Sequence, residues 1–351
     1  MIRIGVNALY LIPGGVGGTE IYLRNLLRAL AEIDSENQYI VFTNRETGAD
    51  LVPDRPNFTH APQPVRASFR PARILWEQFV LPFAARKHRL NVLFNPGFTA
   101  PLLCACPMVT VFHDLQHKRH PEYFRWFDLP FWNFFVWASA RRSHGAIAVS
   151  LATHDDLKRY YGRPSEVIHH GVEREFIEIG YRRHPKDYLL CVSTTHPHKN
   201  LERLLRVHAQ MKNAPKLILT GVRGFAAKEI ESLADGSVEI TGWIPREQLH
   251  RLYRGALGFI YPSTFEGFGM PVLEAMAAGV PVACSDIPPL REIARSTVHF
   301  FDPASDREIR DALLLLVSGK ISTEAALHRA AQFTWEKTAR ATLDYLSKCS
   351  S

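Results

Sequence analysis

The chain has 351 residues, length for roughly two domains and for a core that needs no disulfide or metal staple. Hydrophobic residues make up 46% and charged residues 22%, which excludes intrinsic disorder, a collagen-like repeat and a coiled coil as the main architecture. Lys+Arg exceed Asp+Glu by 42 to 35, a net +7, but there is no basic tail. Nucleic acid is therefore not indicated, while phosphate-bearing ligands and an anionic membrane surface stay compatible.

Short apolar runs alternate with amphipathic stretches. Arg3 to Leu9 reads as a buried strand, followed by a Gly-rich turn and a helix over Glu20 to Ala31, with Ile21, Leu23, Leu26, Leu27 and Leu30 at helical spacing. Strands are predicted at 38–43, 91–95, 108–112, 145–150 and 166–169. The pattern restarts with a strand at 188–192 and a helix capped by Asn200 and running to about Lys212. Further strands are predicted at 216–221, 238–242, 257–262, 281–284 and 298–301. This order predicts an α/β protein of two doubly wound parallel-sheet domains. The expected boundaries are 1–175, 176–333 and a terminal helix in 334–351. The joint is Arg174 to Lys186, charged and without a clear period. The last helix carries Trp335, Ala339, Leu343 and Leu346 on one face. A plain packing helix and one that crosses back to the first domain both fit.

The five cysteines, Cys104, Cys106, Cys191, Cys284 and Cys349, form no CxxC pair and are expected to be free thiols in a reducing compartment. The first residues read directly as a strand, leaving no room for a signal peptide. The expected location is cytoplasmic, with peripheral attachment at the inner face of the membrane as an option.

Two segments carry chemistry. Pro13 to Glu20 is Gly-rich and lies between a strand and a helix, where backbone N–H groups can meet an anion. A flexible turn explains it as well, and its spacing is not that of a dinucleotide fingerprint. Tyr261 to Pro281 runs from a strand end through a Gly-containing loop into a helix with Pro271 near its first position. Glu266 lies on the loop and Glu274 one turn inside the helix, with seven residues between them. Two carboxylates flanking a positive helix end suit a ligand with phosphate in the middle and hydroxyls at both ends, such as a nucleotide sugar. A solvated Glu pair on an ordinary βα unit is the alternative. No Asp-x-Asp triplet and no metal-ligand spacing occurs, so neither a metal nor another cofactor is expected.

The string PSTFEGFGMPVLEAMAAGVPV resembles the Glu–seven residues–Glu motif of the retaining glycosyltransferases of family 4, which have the GT-B fold. The Gly-rich loop, His113-Asp114 after a strand, His170-Gly171-Val172, His198-Lys199-Asn200 and the terminal FTWEKTARATLDYL fall in the family's order, so the resemblance covers nearly the whole chain. It implies two Rossmann-like domains facing a cleft, the first for the acceptor and the second for the nucleotide sugar. It further implies that Glu266 binds donor-sugar hydroxyls and Glu274 the ribose. Lys199 would neutralise the diphosphate, and His113 would lie near the anomeric carbon. Backbone from Phe268, Gly269, Met270, Pro271, Val272 and Leu273 would hold sugar and diphosphate, Gly17 and Gly18 would close over the phosphate, and Trp243-Ile244 would flank the base. Thr194 stands where many members carry a phosphate-binding Arg. His198 either replaces that charge or is a loop residue facing solvent.

Two further stretches combine basic and aromatic residues, Ser68 to Leu90 and His117 to His144. They fit either helices packed on the sheet or contact with anionic lipid. RILWEQFVLP and HDLQH resemble members acting on polysaccharide and O-antigen intermediates, many of them mannosyltransferases. The reading is metal-independent, retaining transfer of a hexosyl group, first of all mannosyl from GDP-mannose, to a hydroxyl of a glycan or lipid-linked glycan. A related sugar epimerase or phosphorylase, or a non-catalytic nucleotide-sugar-binding protein, is the alternative.

Overall fold

In the central strands, Val, Ile, Leu and Phe runs of four to six residues are buried almost throughout, the signature of a parallel sheet covered on both faces. The computed structural model describes residues 1–350, which form two units: residues 1–171 with the last helix, Trp335–Cys349, and Val172–Thr334.

The first unit holds β1 (Arg3–Asn7), β2 (Gln38–Thr43), β3 (Phe58–Pro62), β4 (Val92–Asn95), β5 (Met108–Phe112), β6 (Gly145–Ala148) and β7 (Glu166–Val167). All pair in parallel, in the order β3-β2-β1-β4-β5-β6-β7. The helix Gly18–Ile33 buries Leu23, Leu26, Leu27 and Leu30 completely or nearly so, each worth about 1.5–3 kcal/mol relative to exposure. The terminal helix Trp335–Cys349 packs in this unit. Trp335 lies 6.0 Å from the Tyr22 ring, and Thr338 Oγ1 donates to the His169 carbonyl at 2.8 Å. Gly145 of β6 makes room for it, since a Cβ there would approach Tyr345 and Cys349 to 2.8 and 2.9 Å.

The second unit holds β8 (Tyr188–Val192), β9 (Lys216–Thr220), β10 (Val238–Gly242), β11 (Gly258–Tyr261), β12 (Val282–Ser285) and β13 (His299–Phe301), all parallel, in the order β10-β9-β8-β11-β12-β13. In each sheet the order in which strands are added reverses beside the first strand, between β1 and β4 and between β8 and β11. Open α/β sheets bind ligands beyond the strand ends at such points.

Several sequence expectations need correction. β3 was not foreseen, and β7 spans only two residues rather than 166–169. The helix after Asn200 covers Leu201–Ala209 and stops short of Lys212. Asn200 does not cap it through its side chain. It takes φ 55°, and its Nδ2 donates to the Pro303 carbonyl at 2.8 Å. The joint contains a helix, Arg174–Gly180, and the first boundary falls at Gly171/Val172, so residues 172–175 belong to the second unit. Among the described residues no helix is long and apolar enough to cross a membrane.

Candidate active site

The second unit's site begins at the ends of two neighbouring strands. β8 leads through Thr194 into the turn Pro197–Lys199, and β11 leads into the loop carrying Glu266. The His198 carbonyl joins the two loops. It accepts the Thr264 N–H at 2.8 Å, the Thr264 hydroxyl at 3.0 Å and the Ser263 hydroxyl at 3.2 Å. That stitching sets Lys199 against Glu266, with Nζ 2.6 Å from Oε1. The Tyr261 hydroxyl completes the group, accepting from Lys199 Nζ at 3.2 Å and donating to Glu266 Oε1 at 2.8 Å. The two charged side chains are 12% and 10% exposed, so the ammonium is fixed in a partly dry setting, where its field is stronger than in water. Burial beside Glu266 pushes the Tyr261 phenol well above its ordinary range, so it stays a neutral donor.

The helix Met270–Ala277 starts behind this cluster. Gly269 precedes it at φ 107°, and a Cβ there would come within 2.4 Å of Leu290, so both backbone and packing require glycine. The N–H groups of Val272 and Leu273 turn back to the Gly269 carbonyl at 3.1 and 3.2 Å, and Pro271 has none. Pro271, Val272 and Leu273 therefore drop out of the expected run of donors. The side chains of Phe268, Met270, Val272 and Leu273 are buried in the core, leaving only their backbone for a ligand.

Glu274 is 2% exposed and has both oxygens engaged. Arg246 donates to Oε1 at 2.8 Å and Tyr253 to Oε2 at 3.0 Å. The same guanidinium forks onto Glu173, with Nε at 3.0 Å and Nη2 at 2.8 Å, and lies 4.9 Å over the Phe176 ring. Burial pushes the Glu274 carboxyl above its usual range, and Arg246 opposes that shift. Sequence reasoning missed Arg246, Glu173, Tyr253 and Tyr261. Arg246 did carry a signal, because a cation at the first position of a helix is unfavourable unless anions compensate it.

The remaining expected residues fall as follows. His198 is buried, not solvent-facing, and stacks on His196 at 5.8 Å, so its ring is no loop surface group. The Thr194 carbonyl accepts from the His196 N–H at 3.0 Å. Trp243, 62% exposed, and Ile244 link β10 to the helix Arg246–Gly255. In the first unit, Gly17 takes φ 58° at the start of its helix, and a Cβ at Gly17 or Gly18 would meet nothing within 4 Å. Glu20 accepts the Gly14 N–H at 2.7 Å and pins that loop. His113 follows β5, is 7% exposed and donates from Nε2 to the Pro96 carbonyl at 2.8 Å. Burial pushes its pKa down to about 4, so at neutral pH the ring is uncharged and presents Nδ1 as an acceptor. Among the described residues no three His, Cys, Asp or Glu side chains cluster so as to hold a metal ion.

Each of the two units is matched by a known family. Residues 16–176 match Glycosyltransferase Family 4 and residues 172–333 match Glycosyl transferases group 1, so the two together account for residues 16–333. The chain belongs to these glycosyltransferases, and its fold is GT-B. It is 27% identical over 288 residues to the O-antigen chain mannosyltransferase B of Escherichia coli, covering 75% of each protein. It is 27% identical over 224 residues to the O-antigen chain mannosyltransferase RfbU of Salmonella typhimurium, covering 61% of this chain and 62% of that one. Among solved structures, Anabaena HepE in complex with UDP and glucose superposes with a TM-score of 0.74 at 18% identity, over 99% of this chain and 100% of that one.

Proposed function

We propose that this glycosyltransferase moves a mannosyl group from GDP-mannose to a hydroxyl of a glycan or lipid-linked glycan, with retention and without a metal. The observation that carries the reading is the largely buried Lys199–Glu266–Tyr261 cluster, whose Glu266 lies on the loop that leads through Gly269 into the helix Met270–Ala277. The names of the curated relatives favour mannose. In the proposed reaction the C1–O bond to the diphosphate breaks while the acceptor oxygen bonds C1 on the same face. The acceptor proton passes to the leaving phosphate oxygen. Such a step needs no carboxylate nucleophile. It rests on orientation and on charge stabilisation of the departing diphosphate, the part given to Lys199 and the helix-start N–H groups. Glu266 would orient the sugar hydroxyls and Glu274 the ribose. Thr194, His198, Trp243 and Ile244 would line the diphosphate and base, Gly17 and Gly18 the phosphate, and His113 Nδ1 would accept from a sugar hydroxyl.

The test is transfer from GDP-mannose, with NMR assignment of the product anomer and a parallel reaction after exhaustive EDTA treatment. The expected product keeps the donor's α configuration, and the rate survives chelation. A β product overturns retention, and a loss of activity restored only by Mn²⁺ or Mg²⁺ overturns metal independence. In thermal unfolding, GDP is expected to raise Tm more than UDP, dTDP or ADP, because a ligand bound only by the native state stabilises it.

The proposal includes attachment to an anionic membrane surface through the first unit. Leu75, Phe79 and Phe83 stand 58%, 65% and 74% exposed at every fourth position, flanked by exposed Arg86, Lys87 and Arg89. Trp126, Phe127, Phe134 and Trp137 project from the neighbouring segment, which Arg70 joins by pairing with Asp128 at 3.2 Å. The basic contribution is smaller than the sequence count suggests, since Arg73 is buried against Glu77. Trp76 turns inward, packing on the core, and donates to Gln63 at 3.1 Å. Binding to phosphatidylglycerol-containing vesicles is expected to weaken as salt rises, since exposed charges are screened beyond about 8–10 Å. Equal co-sedimentation with neutral and anionic vesicles, or none with either, refutes it.

A further inference from the structure

Cys104 and Cys106 lie on the loop between β4 and β5, on a stretch held at both ends. Gln78 grips its start, donating to the Ala100 carbonyl at 3.2 Å and accepting the Leu102 N–H at 2.8 Å. The Pro107 carbonyl at its end accepts the Leu93 N–H at 2.9 Å. Between these anchors the two sulfur atoms face each other at 3.5 Å. Ala105 between them is exposed, Cys104 is half-buried and Cys106 is buried, with both packing on the core around Leu9, Leu81 and Met108.

We propose that Cys104 and Cys106 form a dithiol modification site that hydrogen peroxide oxidises to an intrachain disulfide. The inference goes beyond the transfer reaction and does not rest on it. The neighbouring Cys106 thiol and the N–H groups of Cys106 and Ala105 bring the Cys104 thiol below its ordinary range, which favours its thiolate. That thiolate attacks one peroxide oxygen. The O–O bond breaks, a sulfenic acid forms and, with one proton, water leaves. The Cys106 sulfur then attacks the sulfenic sulfur, its proton leaves with the hydroxyl as a second water, and the S–S bond closes. Two thiols are oxidised and one peroxide is reduced to two waters. Closure needs the sulfurs to approach by about 1.5 Å, a movement open to the half-buried Cys104. Cys191 and Cys284 do not compete, because both are fully buried and burial pushes their thiols up. Leu103, the residue before Cys104, is 72% exposed, so closure acts next to the apolar surface assigned to lipid.

The experiment is brief exposure of the reduced full-length protein to hydrogen peroxide, alkylation with iodoacetamide, trypsin digestion and mass spectrometry. The fragment 90–118 holds these two cysteines and no other. It is expected to lose two hydrogens, escape alkylation and recover both thiols with dithiothreitol. Cys104→Ser is expected to abolish the cross-link and slow peroxide consumption by about tenfold, because it removes the stabilised thiolate, whereas Cys191→Ser changes neither. Sulfinic acid at Cys104 without a cross-link, a dimer linked through Cys104, or earlier oxidation of Cys349 each overturns the proposal.

Discussion

Lys199→Ala is expected to lower kcat by roughly 10²–10³, the scale seen when a donor to transition-state charge is removed. The ammonium is held by Glu266 and Tyr261 at 2.6 and 3.2 Å, so in the proposed reaction it would meet the departing diphosphate without reorganising. Glu266→Ala loses that hold together with the proposed contact to the sugar, so kcat falls there too. In the proposed reaction Glu274 would meet the ribose, far from the breaking bond. Its interaction is nearly equal in ground and transition states, so Glu274→Ala mainly raises the donor KM. Steady-state kinetics of the three variants, with circular dichroism to confirm folding, make the comparison. If folded Lys199→Ala and Glu266→Ala both keep the parent kcat, the active site has been misplaced.

Arg246→Ala is expected to cost about 2–4 kcal/mol of stability, toward the lower part of the range for breaking a buried ion pair, because its side chain is 30% exposed. The substitution leaves Glu274 and Glu173, 3% and 15% exposed, without their cation. A fall in Tm of roughly 5–15 °C follows for a unit of this size. The sign with pH is distinctive. In the variant the Glu274 carboxyl, already above its usual range through burial, loses the opposing Arg246, so the deficit is largest above its folded pKa and shrinks as acid protonates it. Arg246→Ala/Glu274→Gln is expected to recover part of the loss. A Tm unchanged from the parent at pH 7 would show that Arg246 is no structural keystone.

How much of this was legible in the sequence differs by residue. The Glu266–Glu274 segment and Lys199 could be read because their chemistry lies in short-range patterns: a strand end, glycine before a helix, a cation at a helix start. Arg246 obeys the same dipole logic but carries no neighbouring motif. The helix Arg174–Gly180 was invisible because seven residues barely show a period, yet Phe176 from it and Glu173 just before it hold Arg246. His198 contributes through its carbonyl, which no side-chain pattern reports. β3 holds Thr59 and His60 and ends on Pro62, so it lacks the apolar run that marks the central strands. Around Trp76 the backbone widens into a π-turn over Trp76–Val80. Such a turn takes up an extra residue and rotates the faces beyond it, which no regular helical spacing in the sequence reports.

The placement of Trp335–Cys349 has a consequence for how the polypeptide acquires its structure as it is made. The second unit is an insertion of 163 residues, Val172 through Thr334, into the first. It is contiguous and can complete itself while still near the ribosome. The first unit emerges earlier but finishes later, since the surface around Tyr22 and Gly145 waits for Trp335, Tyr345 and Leu346. At about 5–20 residues per second, synthesis of the intervening segment delays that closure by roughly 8–33 s. During this interval the nascent chain displays apolar surface that its own last helix will cover, an opening for chaperones and for aggregation alike.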